Sequence, residues 1–337
     1  MTNTEILSEV RRNGTVESVH YGSIVVTDNK GTVLYHVGDP ELVTFTRSSA
    51  KAFQFLPVFE SGATKHFGHS LQQMAIMLGS HNGSELHQKV AKSNLDLIGL
   101  DESYLKCGSH LPVELKLKGE LPVTGVKYTS LAHNCSGKHS GQLALAVHIG
   151  DDPNNYIDPE SKTQKLVKQA VSEAYDYPID QIKMGTDGCS LPNFCLPLRN
   201  MAKAYACIVT KTSDSPIRRE AYQTIYDAMS HFPLMVSGNK RCDLAVTEAC
   251  KGDVILKVGG EAVQTIGVVS KGIGIAIKVI DGNTRGLFPA ICEVLRQLDV
   301  IDDATFKSLG VFSRPQLYND RKINIGEIVP VFTLKRG

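Results

Sequence analysis

The stretch TFTRSSAKAFQFLPVFESG, Thr44 to Gly62, decides how the rest of the chain is read. Thr46, Ser48 and Ser49 stand where helix-capping hydroxyls would, a run of apolar residues from Ala52 to Phe59 follows, and Gly62 supplies a C-terminal stop. The pattern predicts one helix, apolar nearly all round, and therefore buried at the centre of the fold. Ser48 and Lys51, three apart, would share a face of it. A buried lysine loses proton affinity, so its neutral amine could take the proton of the serine hydroxyl, the S-x-x-K logic of a serine nucleophile. The same spacing recurs at Ser103 with Lys106 and at Ser237 with Lys240, where polar or Gly-containing sequence follows instead of an apolar helix. A plainer reading stays open for Ser48 and Lys51: an N-cap serine beside a solvated lysine.

Working outward, Gly14 to Tyr35 reads as a β-hairpin with its turn at Asn29, Lys30 and Gly31. Ser70 and Ser84 cap two helices, the second running to about Ile98, with Ser80, His81, Asn82 and Gly83 as the loop between them. Asp101 to Lys127, broken by Gly108, Pro112, Gly119, Pro122 and Gly125, reads as mostly loop. Small and polar residues from His133 to Gly141 lead into an apolar helix from Leu143 to Ile149. Asp158 with Pro159 opens an amphipathic helix through Tyr175 that turns Leu166, Val167, Ala170, Val171 and Ala174 inward. Ser215 with Pro216 opens another, through about His231. MGTDGCSLPNFC, Met184 to Cys195, is turn-rich and reads as site lining. A short helix at Asp243 to Cys250 precedes VILKVGG, AVQTIGVVS and GIGIAIKVID, an antiparallel meander. A helix from about Arg285 to Leu298 and an extended segment from Lys322 to Leu334 follow. Strands at both ends with helices between predict an α+β fold in which the terminal strands share one antiparallel sheet packed against a helical region. No repeat or linker divides the sequence, so residues 1–337 are expected to form a single interleaved domain.

The chain has 337 residues, 42% hydrophobic and 21% charged, with a formal net charge of +1. That balance gives no electrostatic reason to bind nucleic acid or an anionic membrane. The polar start MTNTEILSEVRRNG lacks the apolar core of a signal peptide, and no run of eighteen apolar residues occurs, so a cytoplasmic protein is expected. Its eight cysteines would then be reduced and serve packing, metal ligation or chemistry.

The order of motifs says more than any one of them: Ser48-x-x-Lys51, then Ser80-His81-Asn82, then Lys257-Val258-Gly259. Serine β-lactamases and penicillin-binding proteins carry S-x-x-K, S-D-N and K-T-G in that order. His81 and Val258 depart from that pattern, so the likeness is one of architecture. TRSSAKAFQ (Thr46 to Gln54), GSHNGS (Gly79 to Ser84), HNCSGKHSG (His133 to Gly141), MGTDGCSLP (Met184 to Pro192) and KVGGEAV (Lys257 to Val263) together resemble the asparaginase II family, the zinc-containing, β-lactamase-like L-asparaginases of rhizobial type. The T-G-G-T-I stretch of the better-known bacterial asparaginases is absent.

The resemblance implies a serine β-lactamase/glutaminase-like fold, a homodimer, and hydrolysis of L-asparagine to aspartate and ammonia through a Ser/Lys acyl-enzyme. Ser48 would pair with Lys51 and Ser80 with Lys257; like charge and desolvation would keep one lysine neutral as the base. Taken without the resemblance, Ser80 is a loop residue and Lys257 a solvated strand lysine. Cys135, Lys138 and Cys189 match the family's zinc ligands, although spacing alone would leave them as core cysteines and a lysine, because zinc sites normally use Cys, His, Asp or Glu. Zinc there would orient substrate. His139 and Asp187 would lie near the metal and Arg47 would pair with the substrate α-carboxylate, while Cys242 is read as packing. Two other functions compete: a broader amidase, glutaminase or penicillin-recognising hydrolase, and a non-enzymatic zinc-thiolate protein.

Overall fold

A computed structural model describes residues 3–337, which divide into two compact units, each assembled from segments far apart in sequence. The first holds the chain up to Ser49, Leu196–Thr210 and Ala245–Gly337; the second holds Ala50–Cys195 and Lys211–Leu244.

The first unit is built on an antiparallel sheet with nine strands among the described residues: β1 (Glu5–Arg12), β2 (Thr15–Thr27), β3 (Val33–Val37), β4 (Val254–Gly259), β5 (Val263–Val268), β6 (Ile273–Val279), β7 (Gln316–Tyr318), β8 (Asn324–Pro330) and β9 (Lys335–Arg336). Their order is β7-β8-β1-β2-β6-β5-β4, with β3 on β2 and β9 on β3. The expected hairpin is β2 with β3, the expected meander is β4 to β6, and β2 joins them through the register Gly22↔Val279 to Thr27↔Gly274. This is the shared antiparallel sheet of terminal strands that the sequence predicts, within an α+β chain. β1 was not among the predicted strands, because its charged residues and the polar Ser8, buried beside Leu7 and Val10, leave no apolar alternation to read.

β5 and β6 are buried at every position because helices cover both faces. Leu198–Thr210 lies against β2, β5 and β6 and Thr284–Gln297 against β1, β6 and β8. Successive strand residues point to opposite faces: a Cβ at Gly274 would sit 1.9 Å from the Ala202 carbonyl oxygen of the first helix, whereas Val279 meets Gly286 of the second. Only glycine at position 274 admits so close a helix.

The second unit is helical, with Leu71–Leu78, Glu85–Leu97, Ser136–Ile149, Lys162–Tyr175 and Pro216–His231 as its longer members. Its central helix is Ser136–Ile149, buried from Ser136 to Ala146 and packed on helices Leu71–Leu78 and Glu85–Leu97. The predicted single helix from Thr44 to Gly62 is instead broken. Val43–Phe45 is a short strand, Arg47–Ala50 a 3-10 turn, and Lys51–Gln54 and Leu56–Glu60 are separate helical turns. Arg47 has a positive φ of 50°, which no α-helix accommodates, and Pro57 lacks the N–H that would continue the helix while its ring opposes the Phe53 carbonyl. The segment from Lys51 to Val58 is nonetheless buried, as its apolar surface requires. Ser70 forms a full capping box with Gln73, and Ser84 caps its helix. The Lys162–Tyr175 helix starts at cap Ser161, later than the Asp158-Pro159 signal, and Leu166 is exposed while the other four predicted inward residues are buried. The Asp101 to Lys127 loop contains a helix at Val113–Lys118.

Candidate active site

In the second unit a chain of buried polar groups runs from Lys51 to Tyr156. Lys51 is fully buried, and its Nζ donates to the carbonyl of Gly79, to Ser80 Oγ at 3.0 Å and to the Asn134 carbonyl at 3.5 Å. Burial holds its pKa below the ordinary lysine value, against the pull of Cys135 and Cys189. A lysine with two or three oxygen acceptors and no carboxylate partner is set up to hand over and recover a proton. The expected pairs were Ser48 with Lys51 and Ser80 with Lys257; the hydroxyl on Lys51 in this unit is Ser80.

The Ser80 loop is held by its histidine. Ser136 Oγ donates to the Leu131 carbonyl at 3.0 Å, so it accepts from His81 Nε2 at 3.0 Å, and His81 Nδ1 accepts from the Gly83 N–H at 3.1 Å. One tautomer satisfies both bonds. Burial, followed by the neighbouring His87 and Lys51, keeps the His81 pKa well below the usual range and the ring neutral.

The central helix begins at Ser136 with Cys135 as its N-cap residue, earlier than the Leu143 start read from the sequence, so Lys138 and His139 sit in its first turns. Gly137 brings that helix onto its neighbour: a Cβ there would lie 2.2 Å from the Ile76 carbonyl oxygen. Across from the helix, Lys183–Thr186 and Pro192–Pro197 pair in a hairpin, Lys183↔Cys195 to Thr186↔Pro192, whose loop carries Asp187 and Cys189. Lys138 Nζ donates to Cys189 Sγ at 2.9 Å and lies 4.0 Å from Asp187 Oδ2, itself 3.5 Å from Cys189 Sγ. The Cys189 thiol is the donor in that last contact. The neighbouring Cys189 thiol, then Lys51 and Lys138, outweigh burial and hold the Cys135 pKa well below its usual value, while Cys135 and burial push that of Cys189 up. For Lys138 burial disfavours charge, but Cys189, Cys135 and Asp187 together prevail and keep it an ammonium.

The donor set bears on zinc. Among the described residues no group of three or more His, Cys, Asp and Glu is arranged to hold a metal ion. Two cysteine sulfurs suit a thiophilic ion, and a third ligand would have to be Lys138, 2.9 Å from Cys189 Sγ, after losing its proton.

His139 is wholly buried. Tyr156 OH accepts from the Lys106 N–H at 3.0 Å and so gives its own proton to His139 Nδ1 at 2.5 Å. With burial, then Lys138, keeping the ring neutral, Nε2 carries the remaining hydrogen, and it has no hydrogen-bond partner. Sequence reasoning missed Tyr156, since nothing in NNYIDPE separates a buried hydrogen-bonding tyrosine from a packing one.

Arg47, Ser48 and Lys257 belong to the first unit. Ser48 is half-buried in the 3-10 turn. Lys257 is buried on β4, and its Nζ donates to the Val258 carbonyl at 2.8 Å. Arg47 lies over Gly260, where a Cβ would meet the guanidinium at 2.9 Å. Cys242 is buried, as packing predicts.

The family model for L-asparaginase II matches residues 8–330. The chain belongs to that family. An L-asparaginase II family member is a hydrolase of the amidohydrolase type that acts on a small molecule. Similar solved structures include a putative β-lactamase from Bacteroides dorei DSM 17855, 13% identical over 77% of this chain and 84% of that one with a TM-score of 0.41. Another is Mglu in its native form in the presence of 4.3 M NaCl, 12% identical over 83% of this chain and 62% of that one with a TM-score of 0.39. No curated protein matches the sequence. Among the described residues no helix is long and apolar enough to cross a membrane.

Proposed function

We propose that this family member hydrolyses the side-chain amide of L-asparagine, releasing ammonia and aspartate, with Lys51 as general base. The observation that carries the reading is the buried, charge-disfavoured Lys51 amine 3.0 Å from Ser80 Oγ in an L-asparaginase II chain. Ser48 attacks the amide carbon, its proton passes to Lys51, ammonia leaves with that proton returned, and water cleaves the acyl-enzyme ester. Ser80 fixes the Lys51 amine and relays protons, assisted by Lys257. A second reading has Ser80 attack; its direct contact with Lys51 favours it.

The substrate's α-carboxylate suits Arg47 and the His139 Nε2–H, and its α-amino group suits Asp187. Cys135, Cys189 and a deprotonated Lys138 would hold zinc, which when bound supplies a fixed positive charge for orienting the substrate.

The test is ammonia release from asparagine, glutamine and a β-lactam panel by the wild type, Ser48→Ala and Ser80→Ala, with mass spectrometry of quenched samples for acyl-enzyme. Asparagine turnover that disappears with Ser48→Ala supports the first reading. An acyl adduct on Ser80 in that variant supports the second. Full asparagine turnover by the Lys51→Met protein would refute both.

A further inference from the structure

Gln54 and Gln142 are buried amides, 4% and 1% exposed, on two elements of the second unit, the Lys51–Gln54 turn and the central helix. The bonds that each already makes fix which end is which. Gln54 Nε2 donates to the Pro192 carbonyl at 3.4 Å, so its other end is the acceptor Oε1. Gln164 Nε2 spends its two hydrogens on the Tyr156 carbonyl and on Gln142 Oε1, both at 2.7 Å, so the other end of Gln142 is the donor Nε2. Turning either amide over would set donor against donor or acceptor against acceptor. Gln54 Oε1 and Gln142 Nε2 are both shut off from solvent with no hydrogen-bond partner among the described residues, and both side chains line one small cavity. A buried acceptor and a buried donor left unpaired are costly singly and complementary to one molecule placed between them.

We infer that this cavity is an internal water site, in which one water donates to Gln54 Oε1 and accepts from Gln142 Nε2. The cavity has about 10 Å³ of room for a water's centre, about what a single water needs and too little for an organic ligand. Lys138 brings positive charge to its wall and no carboxylate lines it, which disfavours a cation, while the Gln54 acceptor disfavours an anion. Phe55 and Met77 close the remainder with apolar surface. The water completes a chain of hydrogen bonds that runs from Pro192 through Gln54, the water, Gln142 and Gln164 to Tyr156. It thereby joins the hairpin that carries Cys189, the Lys51 turn, the central helix and the Lys162–Tyr175 helix, and a water so held is costly to remove. Neither the hydrolytic reading nor the metal enters the inference.

The experiment uses the full wild-type chain. A high-resolution crystal structure should show one water peak within about 2.7–3.2 Å of both Gln54 Oε1 and Gln142 Nε2. In protein labelled with nitrogen-15 at the glutamine side chains, the Gln142 amide hydrogens should give NOE and ROE cross-peaks to water of opposite sign. A long-lived bound water produces that pattern and hydrogen exchange does not. Gln142→Met identifies the resonance by its disappearance. Gln54→Met, an unbranched apolar replacement of similar reach, removes the acceptor and fills part of the cavity. In that variant the water cross-peak at Gln142 should be lost, while the Gln142–Gln164 bond persists in the crystal. Wild-type crystals without the peak, Gln54 Oε1 bonded directly to Gln142 Nε2, or a Gln142 water cross-peak unchanged in Gln54→Met would each overturn the inference. Should Gln54→Met not fold, the wild-type crystal and spectrum decide by themselves. Turnover of asparagine is not the readout, so a chain inactive on asparagine still answers the question.

Discussion

The central helix of the second unit offers a test with its own control, because two of its glycines meet different neighbours. A Cβ at position 137 would lie 2.2 Å from the oxygen, 2.6 Å from the carbonyl carbon and 2.9 Å from Cγ1 of Ile76. Two of those atoms are backbone of a packed helix and cannot rotate away. Restoring an ordinary carbon–oxygen contact of about 3.3 Å requires the helices to part by ~1 Å. Overpacking of this kind costs about 1–3 kcal/mol, and an alanine in the first turn recovers less than the ~1 kcal/mol that a helix interior would give. At position 141 the three atoms nearest the Cβ would all belong to the Met77 side chain, Sδ at 2.9 Å, Cγ at 3.0 Å and Cβ at 3.3 Å, of which the two closest can re-rotamerise. Gly137→Ala should therefore lose about 1–3 kcal/mol in urea unfolding, while Gly141→Ala stays within ~1 kcal/mol of the wild type. Because Cys135, Lys138 and His139 ride on the same turn, a displacement of ~1 Å should also lower kcat/KM by about 10²-fold in the first variant alone. Equal stability and activity for the two variants would show that the helix contact does not position the site.

Three further outcomes are expected. Lys51→Met should reduce turnover by about 10²- to 10⁴-fold, and wild-type kcat/KM should fall in acid with an apparent pKa below the usual lysine value of about 10.4, because only the neutral amine accepts a proton; an acid limb unchanged in Lys51→Arg would assign it elsewhere. Tyr156→Phe strands the Lys106 N–H and His139 Nδ1, so about 1–3 kcal/mol of stability should be lost for each and the His139 tautomer, read by nitrogen NMR, should become mixed; an unchanged spectrum would break the link. Burial lowers the pKa of His81 and His87 in the folded chain, so the unfolded chain binds more protons in acid: stability is complete above about pH 6.5 and should decline below it by up to ~1.4 kcal/mol per pH unit for each, and a urea midpoint flat from neutral pH to about pH 5 would contradict this.

The sheet was legible where local patterning and turn chemistry agree. β2, β3 and the β4 to β6 meander carry β-branched residues between turn residues, whereas burial on both faces of β5 and β6 was less legible, because Gln264, Thr265 and Lys278 interrupt their apolar runs and are buried all the same. Capping by Ser70, Ser84 and Ser215 was equally readable, since each hydroxyl accepts from an N–H three residues on. The Thr44 to Gly62 segment misled because hydrophobicity reports burial and not continuity; Pro57 and the left-handed Arg47 decide its breaks. In the site, the Cys135, Lys138 and Cys189 cluster was reachable through family likeness and not through spacing, as no generic metal pattern uses lysine. The Lys51–Ser80 contact and the Tyr156–His139 bond depend on loops from distant parts of the chain, and pairings of that kind leave no local trace.

The strand order carries a consequence for biosynthesis. β1 pairs through Ser8↔Pro330 and β2 through Gly22↔Val279, so each strand must wait for a permanent neighbour synthesised far later than itself. β1, β2 and β3 can form a ribbon at once, yet both of its long edges stay unpaired through the synthesis of some two hundred residues. Loop-closure entropy and high contact order make that final docking slow, and the waiting edges are competent to pair with those of another nascent chain. Recombinant yield should therefore respond to translation rate, temperature and chaperone supply more than to the stability of the finished sheet.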